Sequence, residues 1–133
     1  MIGLIVTGHG KFGSGMAAAL DVIAGLPENF AAVDFGMSDS SEELTEKLEA
    51  VIDSMQNTDG ILILADLAGG TPFKTAVEVG FPRGIEVVAG TNLGMLLEVN
   101  SMRSFETDAK ALAKSAVEAG KSTIVHFEFK QSK

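Results

Sequence analysis

The chain of 133 residues contains no cysteine, no tryptophan and no tyrosine, and it has only two histidines, His9 and His126. Without cysteine there are no disulfides, no thiolate metal sites and no cysteine nucleophile, which fits a reducing cytosol. Two histidines are too few for a histidine-rich metal site. The missing aromatics remove most of the platforms on which single-stranded nucleic acids stack. Basic charge is scarce as well: 10 Lys and Arg stand against 18 Asp and Glu, a formal net charge of −8. A surface of that sign repels nucleic acid and anionic lipid and suits a partner carrying a basic patch. The opening MIGLIVTGHG lacks a basic region ahead of a sustained apolar run. Neither a signal peptide nor a membrane-inserted segment is expected, and the expected location is cytoplasmic. A Gly-x-x-x-x-Gly-Lys-Ser/Thr phosphate loop is also absent.

What is present is ordinary globular material, 46% hydrophobic and 21% charged, enough for a single domain over residues 1–133 with its own core. Short apolar runs alternate with segments of helical period. Ile2 to Thr7, Phe30 to Phe35, Gly60 to Ala65 and Ile85 to Ala89 read as strands. Between them, Met16, Ala19, Leu20 and Ile23 mark one helix closed by Pro27, and Leu44, Leu48, Val51 and Met55 mark another. Ser38 to Ser41 offer caps for the second. Thr71 as N-cap, with Pro72 at the first helical position, opens a helix to about Val79, a short helix covers Leu93 to Val99, and a longer one runs from about Glu106 to Ala119 with Gly120 as its cap. Thr123 to Phe129 alternates, with Val125, Phe127 and Phe129 on one side and Ile124, His126 and Glu128 on the other, before the polar tail KQSK. That alternation predicts an edge strand, paired across a subunit boundary. The order β-α-β-α-β-α-β-α-α-β predicts an α/β sandwich around a largely parallel sheet.

Sites in such folds gather at the carboxyl ends of the strands, and two loops there carry unusual residues. Gly8-His9-Gly10 follows the first strand. Its histidine is either a surface residue in a tight turn or an exposed nucleophile able to hold a phosphoryl group through nitrogen. Asp66-Leu67-Ala68-Gly69-Gly70-Thr71-Pro72-Phe73 follows the third strand. Asp66 is placed to accept from one imidazole nitrogen and leave the other free to attack phosphorus. Gly69 and Gly70 let backbone amides approach an anion, and Thr71 adds a hydroxyl at a helix start, where negative charge is favoured. An Asp-capped turn with glycines in left-handed backbone is the purely structural alternative. Together, a strand-end His and a strand-end Asp followed by an anion cradle make a coherent phosphoryl site.

A second fingerprint overlaps the first. Gly8-x-Gly10-x-x-Gly13 follows a strand and precedes a helix, and Asp34 lies near the end of the second strand. That is the spacing of a dinucleotide-binding loop with Asp34 on a ribose hydroxyl. It ranks lower, because the chain is too short for a full cofactor fold with a substrate domain and because the Asp66 loop is left unexplained. Asp34 and Asp66 are also the candidates for a carboxylate magnesium site, although Asp34 reads better as a solvated strand-end carboxylate.

The stretches IGLIVTGHGKFGSGMAAALDVIAG, ILILADLAGGTPFKTAVE and VVAGTNLGMLLE resemble the IIA components of the bacterial phosphoenolpyruvate-dependent sugar phosphotransferase system, mannose-fructose-sorbose family. The resemblance covers nearly the whole chain. It implies a five-stranded sheet in the order 2-1-3-4-5, mainly parallel with an antiparallel last strand, helices on both faces, and a homodimer that exchanges that strand. It implies that His9 is the phosphorylated nucleophile, that Asp66 orients it, and that Gly69, Gly70 and Thr71 form the phosphate-binding turn. Phosphate would come from the small carrier HPr and pass to a separate EIIB component, with the EIIC and EIID permease downstream. No cofactor or metal is implied, since transfer between two nitrogens rearranges little charge. Gly13 stands where the family often has Ala, Ala68 where a larger side chain is common, and Thr71 where Ser is commoner, with the hydroxyl kept. The sugar stays open, because a IIA component touches only proteins.

Overall fold

The computed structural model describes residues 1–55 and 57–130; of the KQSK tail, residues 131–133 lie outside it. Strands β1 (Gly3–His9) and β3 (Ile61–Ala65) are apolar at nearly every position and are buried throughout except at His9. Both therefore need cover on two faces, and the helices supply it. Strands β2 (Phe30–Phe35) and β4 (Glu86–Val88) flank them. All three pairings are parallel, in the order β2-β1-β3-β4.

The pleat divides the core. Leu4, Val6, Leu62, Leu64 and Val88 point to one face, where they meet Leu20 of helix α1 (Phe12–Ala24), Met95, Leu96 and Val99 of α2 (Leu93–Met102), and Leu112 and Ala116 of α3 (Ala109–Ser122). Ile5, Val33, Ile61 and Ile63 point to the other, against Leu44, Leu48 and Ile52 of α4 (Ser41–Ser54) and Ala76 and Val79 of α5 (Thr71–Gly80). Each fully buried Leu or Ile contributes about 1.5–3 kcal/mol, so the two clusters hold the strands from both sides. Thr7, buried in β1, donates its hydroxyl to the Val33 carbonyl at 2.8 Å.

Local chemistry sets the ends of the helices. Helix α4 begins at Ser40 with reciprocal bonds between Ser40 and Glu43, a capping box. Helix α5 is capped by Gly70, with Thr71 as its first residue, rather than by Thr71. Helix α3 starts at Ala109, later than Glu106, because Asp108 caps it by accepting from the Lys110 amide. It then continues through Gly120 to Ser122. Gly120 serves packing rather than capping: a Cβ there would stand 2.6 Å from the Met95 methyl group across the α2–α3 contact.

The fifth strand is the main departure from expectation. Thr123 to Lys130 form no strand, and the described sheet has four strands rather than five. Ile124, Val125, Phe127 and Phe129 are 74–84% exposed. Among the described residues no strand lies beside the segment to take its backbone hydrogen bonds, so its alternating pattern goes unused there. His126 is exposed there, its Nδ1 3.8 Å from Glu128 Oε1.

Candidate functional site

Parallel pairing of β1 and β3 brings their carboxyl ends together, and the chemistry follows from that register: Thr7 lies opposite Ala65, so His9 and Asp66 emerge side by side. Asp66 Oδ2 accepts from both the backbone amide of His9, at 2.9 Å, and the ring Nδ1, at 2.8 Å. Its other oxygen accepts from the Leu67 amide at 2.8 Å. The Asp66 side chain is 11% exposed, whereas that of His9 is 46% exposed.

Burial of Asp66 disfavours its charge. The hydrogen bonds from the His9 amide, the His9 ring and the Leu67 amide outweigh that cost and hold its carboxyl below the ordinary 3.8. At neutral pH the group is therefore a carboxylate that only accepts hydrogen bonds. The 2.8 Å contact then requires a proton on Nδ1, so in the neutral ring it is Nε2 that carries the lone pair. Among the described residues nothing hydrogen-bonds Nε2. The arrangement is an oriented imidazole with an anionic brace behind it and one nitrogen facing outward.

Glycines make room for this pair. At Gly8 a Cβ would fall 2.8 Å from the Asp66 carboxyl carbon, and at Gly70 it would overlap His9 Cε1 and stand 2.9 Å from Nε2. Gly10 has φ +59, where its amide donates to the Phe35 carbonyl at 2.8 Å and turns the chain into α1. Gly69 is under neither constraint: a Cβ there would meet nothing, and neither Gly69 nor Gly70 has a positive φ. The left-handed explanation of the double glycine is thus set aside. Beside the imidazole, Ala68, Gly69, Gly70, Thr71 and Lys74 line an open hollow of about 570 Å³ at the start of α5.

Two residues at this end of the sheet have roles their sequence positions did not announce. The Phe35 ring packs against the His9 ring with centroids 6.1 Å apart and planes at 75°. Lys74 joins the hollow with Thr71, and its helical spacing from Thr71 was the available signal. Asp34 is engaged elsewhere. Its Oδ1 accepts from the Ser14 amide at 2.9 Å and its Oδ2 from the Ser14 hydroxyl at 2.7 Å, closing the first turn of α1. Gly13 lies so close to the strands that a Cβ would be 2.9 Å from the Val6 carbonyl oxygen. The Gly8-x-Gly10-x-x-Gly13 spacing with Asp34 is therefore accounted for by helix-on-sheet packing and capping. Among the described residues, no group of three or more His, Cys, Asp or Glu side chains is placed to hold a metal ion.

The protein is thus a small parallel α/β domain with a braced, half-exposed histidine at the end of its first strand. Residues 3–117 match the family described as "PTS system fructose IIA component", and the chain belongs to it. It is 30% identical over 124 residues to the mannose-specific EIIAB component of Escherichia coli (strain K12), covering 92% of this chain and 38% of that protein. It is 33% identical over 104 residues to the fructose-specific EIIA component of Bacillus subtilis (strain 168), covering 77% and 71% respectively. The chain thus spans well under half the length of the mannose-specific EIIAB relatives. Among solved structures, component EIIA from Streptococcus agalactiae superposes with a TM-score of 0.87 at 29% identity, covering 95% of this chain and 97% of that one. The mannose/sorbose IIA subunit from Enterococcus faecalis superposes with a TM-score of 0.86 at 28% identity, over 99% and 98%. No helix among the described residues is long and apolar enough to cross a membrane.

Proposed function

We propose that this chain is a cytoplasmic phosphohistidine carrier, accepting a phosphoryl group from phospho-HPr on His9 and passing it to an EIIB component that serves an EIIC and EIID permease. The observation that carries the reading is the His9–Asp66 pair, with Nδ1 bonded to the carboxylate and Nε2 free at a half-open surface. In the transfer, the Nε2 lone pair forms the new N–P bond as the P–N bond of the donor breaks. The electron pair of that bond returns to the donor imidazole. Positive charge growing on the His9 ring is stabilised by Asp66. The Gly70 and Thr71 amides at the start of α5, and the Thr71 hydroxyl, are assigned to the phosphoryl oxygens, with Gly69 keeping the approach open.

The exposed alternating segment 123–129 supports the second half of the reading: it completes the sheet of another copy as an antiparallel strand, giving a homodimer. The nucleotide-binding alternative loses its ribose ligand, since both oxygens of Asp34 are taken by Ser14.

One experiment addresses both halves: native mass spectrometry, without acid, after incubation with phosphoenolpyruvate, Enzyme I and HPr. The expected species is a dimer in which each wild-type subunit gains one phosphoryl mass and a His9→Ala subunit gains none. Uptake by His9→Ala at the normal rate removes His9 as the nucleophile, and a monomer removes strand exchange.

A further inference from the structure

We propose that Phe35 is a positioning residue for the chemistry at His9, its ring setting the plane in which the Nε2 lone pair points. The consequence for transfer rests on the carrier reading; the geometry does not.

A histidine is turned by χ2, a broad and weakly held torsion. The single hydrogen bond from Nδ1 to Asp66 restrains that torsion, but one such bond bends easily, so the ring can still rock and weaken it. Two contacts restrict the rocking. The Gly70 backbone lies against the Cε1 and Nε2 side, as the crowding of a Cβ at that position demonstrates. Phe35 supplies the other, with the two rings nearly perpendicular at 6.1 Å.

Phe35 is itself well anchored. It is the last residue of β2, pairs with His9 across the parallel ladder, accepts the Gly10 amide at 2.8 Å, and packs on the Ile5 and Val33 side of the core. The nucleophile is thereby referenced to the sheet rather than to a loop. In-line displacement needs the lone pair, which lies in the ring plane, aligned with the breaking P–N bond. Rocking the ring spoils that alignment without changing how a partner docks. The Phe35 side chain has no polar atom and makes no hydrogen bond to the imidazole; what it offers the ring is a fixed surface.

The test uses the full chain with Phe35→Ala, Phe35→Leu and Phe35→Tyr, assayed well below each variant's melting temperature. For transfer from phospho-HPr, Phe35→Ala is expected to lower kcat by about tenfold with KM unchanged, and Phe35→Tyr to restore it. On the unphosphorylated protein, nitrogen-15 NMR of the His9 ring should report the Nδ1–H tautomer in wild type and Phe35→Tyr, and a mixture in Phe35→Ala and Phe35→Leu. Unchanged kcat together with an unchanged tautomer in Phe35→Ala or Phe35→Leu overturns the proposal, as does a rise in KM alone. If wild type takes up no phosphoryl group, the carrier reading fails, and the NMR arm still decides the role of Phe35.

Discussion

At the carboxyl end of β1, His9 leaves nearly half its side chain in solvent and one ring nitrogen without a partner; at the amino end of the same strand, Arg103 is 1% exposed and fully engaged. The Arg103 guanidinium donates to the carbonyls of Ile2 at 2.8 Å, Asn29 at 2.9 Å and Glu28, and to Asn100 Oδ1 at 3.2 Å. These oxygens come from the segments that lead into β1 and β2 and from helix α2. Burial pulls the Arg103 pKa below that of a free guanidinium, with the nearby Glu28 carboxylate acting in the opposite sense. A buried cation is tolerated only when its donors are satisfied. One end of the sheet therefore uses its polar groups for cohesion, while the other leaves a ring nitrogen unpartnered among the described residues. Opposite treatment of these two side chains, packed at opposite ends of one strand, separates the part of the molecule that holds from the part to which the chemistry is assigned.

The sharpest way to break this comparison is to exchange the consequences. Arg103→Ala leaves a cavity and removes the guanidinium donors from the Ile2, Asn29 and Glu28 carbonyls, of which Asn29 keeps the Leu4 amide, and should cost about 3 kcal/mol of stability. Denaturant unfolding reads this loss, while phosphoryl uptake at His9 well below the melting temperature should be unchanged. Asp66→Asn should do the reverse. It removes the anion that selects the Nδ1–H tautomer and is expected to slow transfer on the order of a hundredfold, measured as single-turnover uptake from phospho-HPr. Its effect on stability is pH-dependent. The Asp66 pKa is depressed in the fold, so the stability it adds is present above about pH 3.8 and is lost as pH falls through the folded value. Wild type and Asp66→Asn should accordingly converge in stability in acid. Gly70→Ala is the mildest of the three: its methyl group displaces the imidazole rather than deleting a partner, and a loss of about tenfold in rate is expected with the melting temperature nearly kept. A large rate defect in Arg103→Ala in the folded protein would dissolve the distinction between the two ends.

The His9 end, to which the chemistry is assigned, was legible in the sequence as a candidate site because its signals are local. His9 is bracketed by glycines after an apolar run, and Asp66 opens a glycine turn after another. Parallel pairing of two buried runs then suffices to bring them together. The cohesive end was not legible: a single arginine after a helical stretch looks like surface, and its acceptors at Ile2 and Asn29 lie 101 and 74 residues away. Phe35 was hidden for a similar reason. It reads as the end of a strand, and only the His9–Phe35 register turns it toward the site. Gly13 and Asp34 misled in the opposite sense, because a motif spacing was satisfied by packing and capping. Gly120 did so too, a helix-contact glycine in the place of a stop signal. The alternation of 123–129 was visible, but a pattern names the face a strand would bury, not the chain against which it buries it.

The central claim is that Asp66 holds the Nδ1 proton and so delivers Nε2 as the nucleophile. The most direct measurement is NMR of the phosphorylated protein with nitrogen-15 in the His9 ring, reading phosphorus–nitrogen coupling at alkaline pH. Coupling at Nε2, with the proton retained on Nδ1, is the predicted result. Coupling at Nδ1 would contradict the account, because the phosphoryl group would then occupy the position the carboxylate is built to hold.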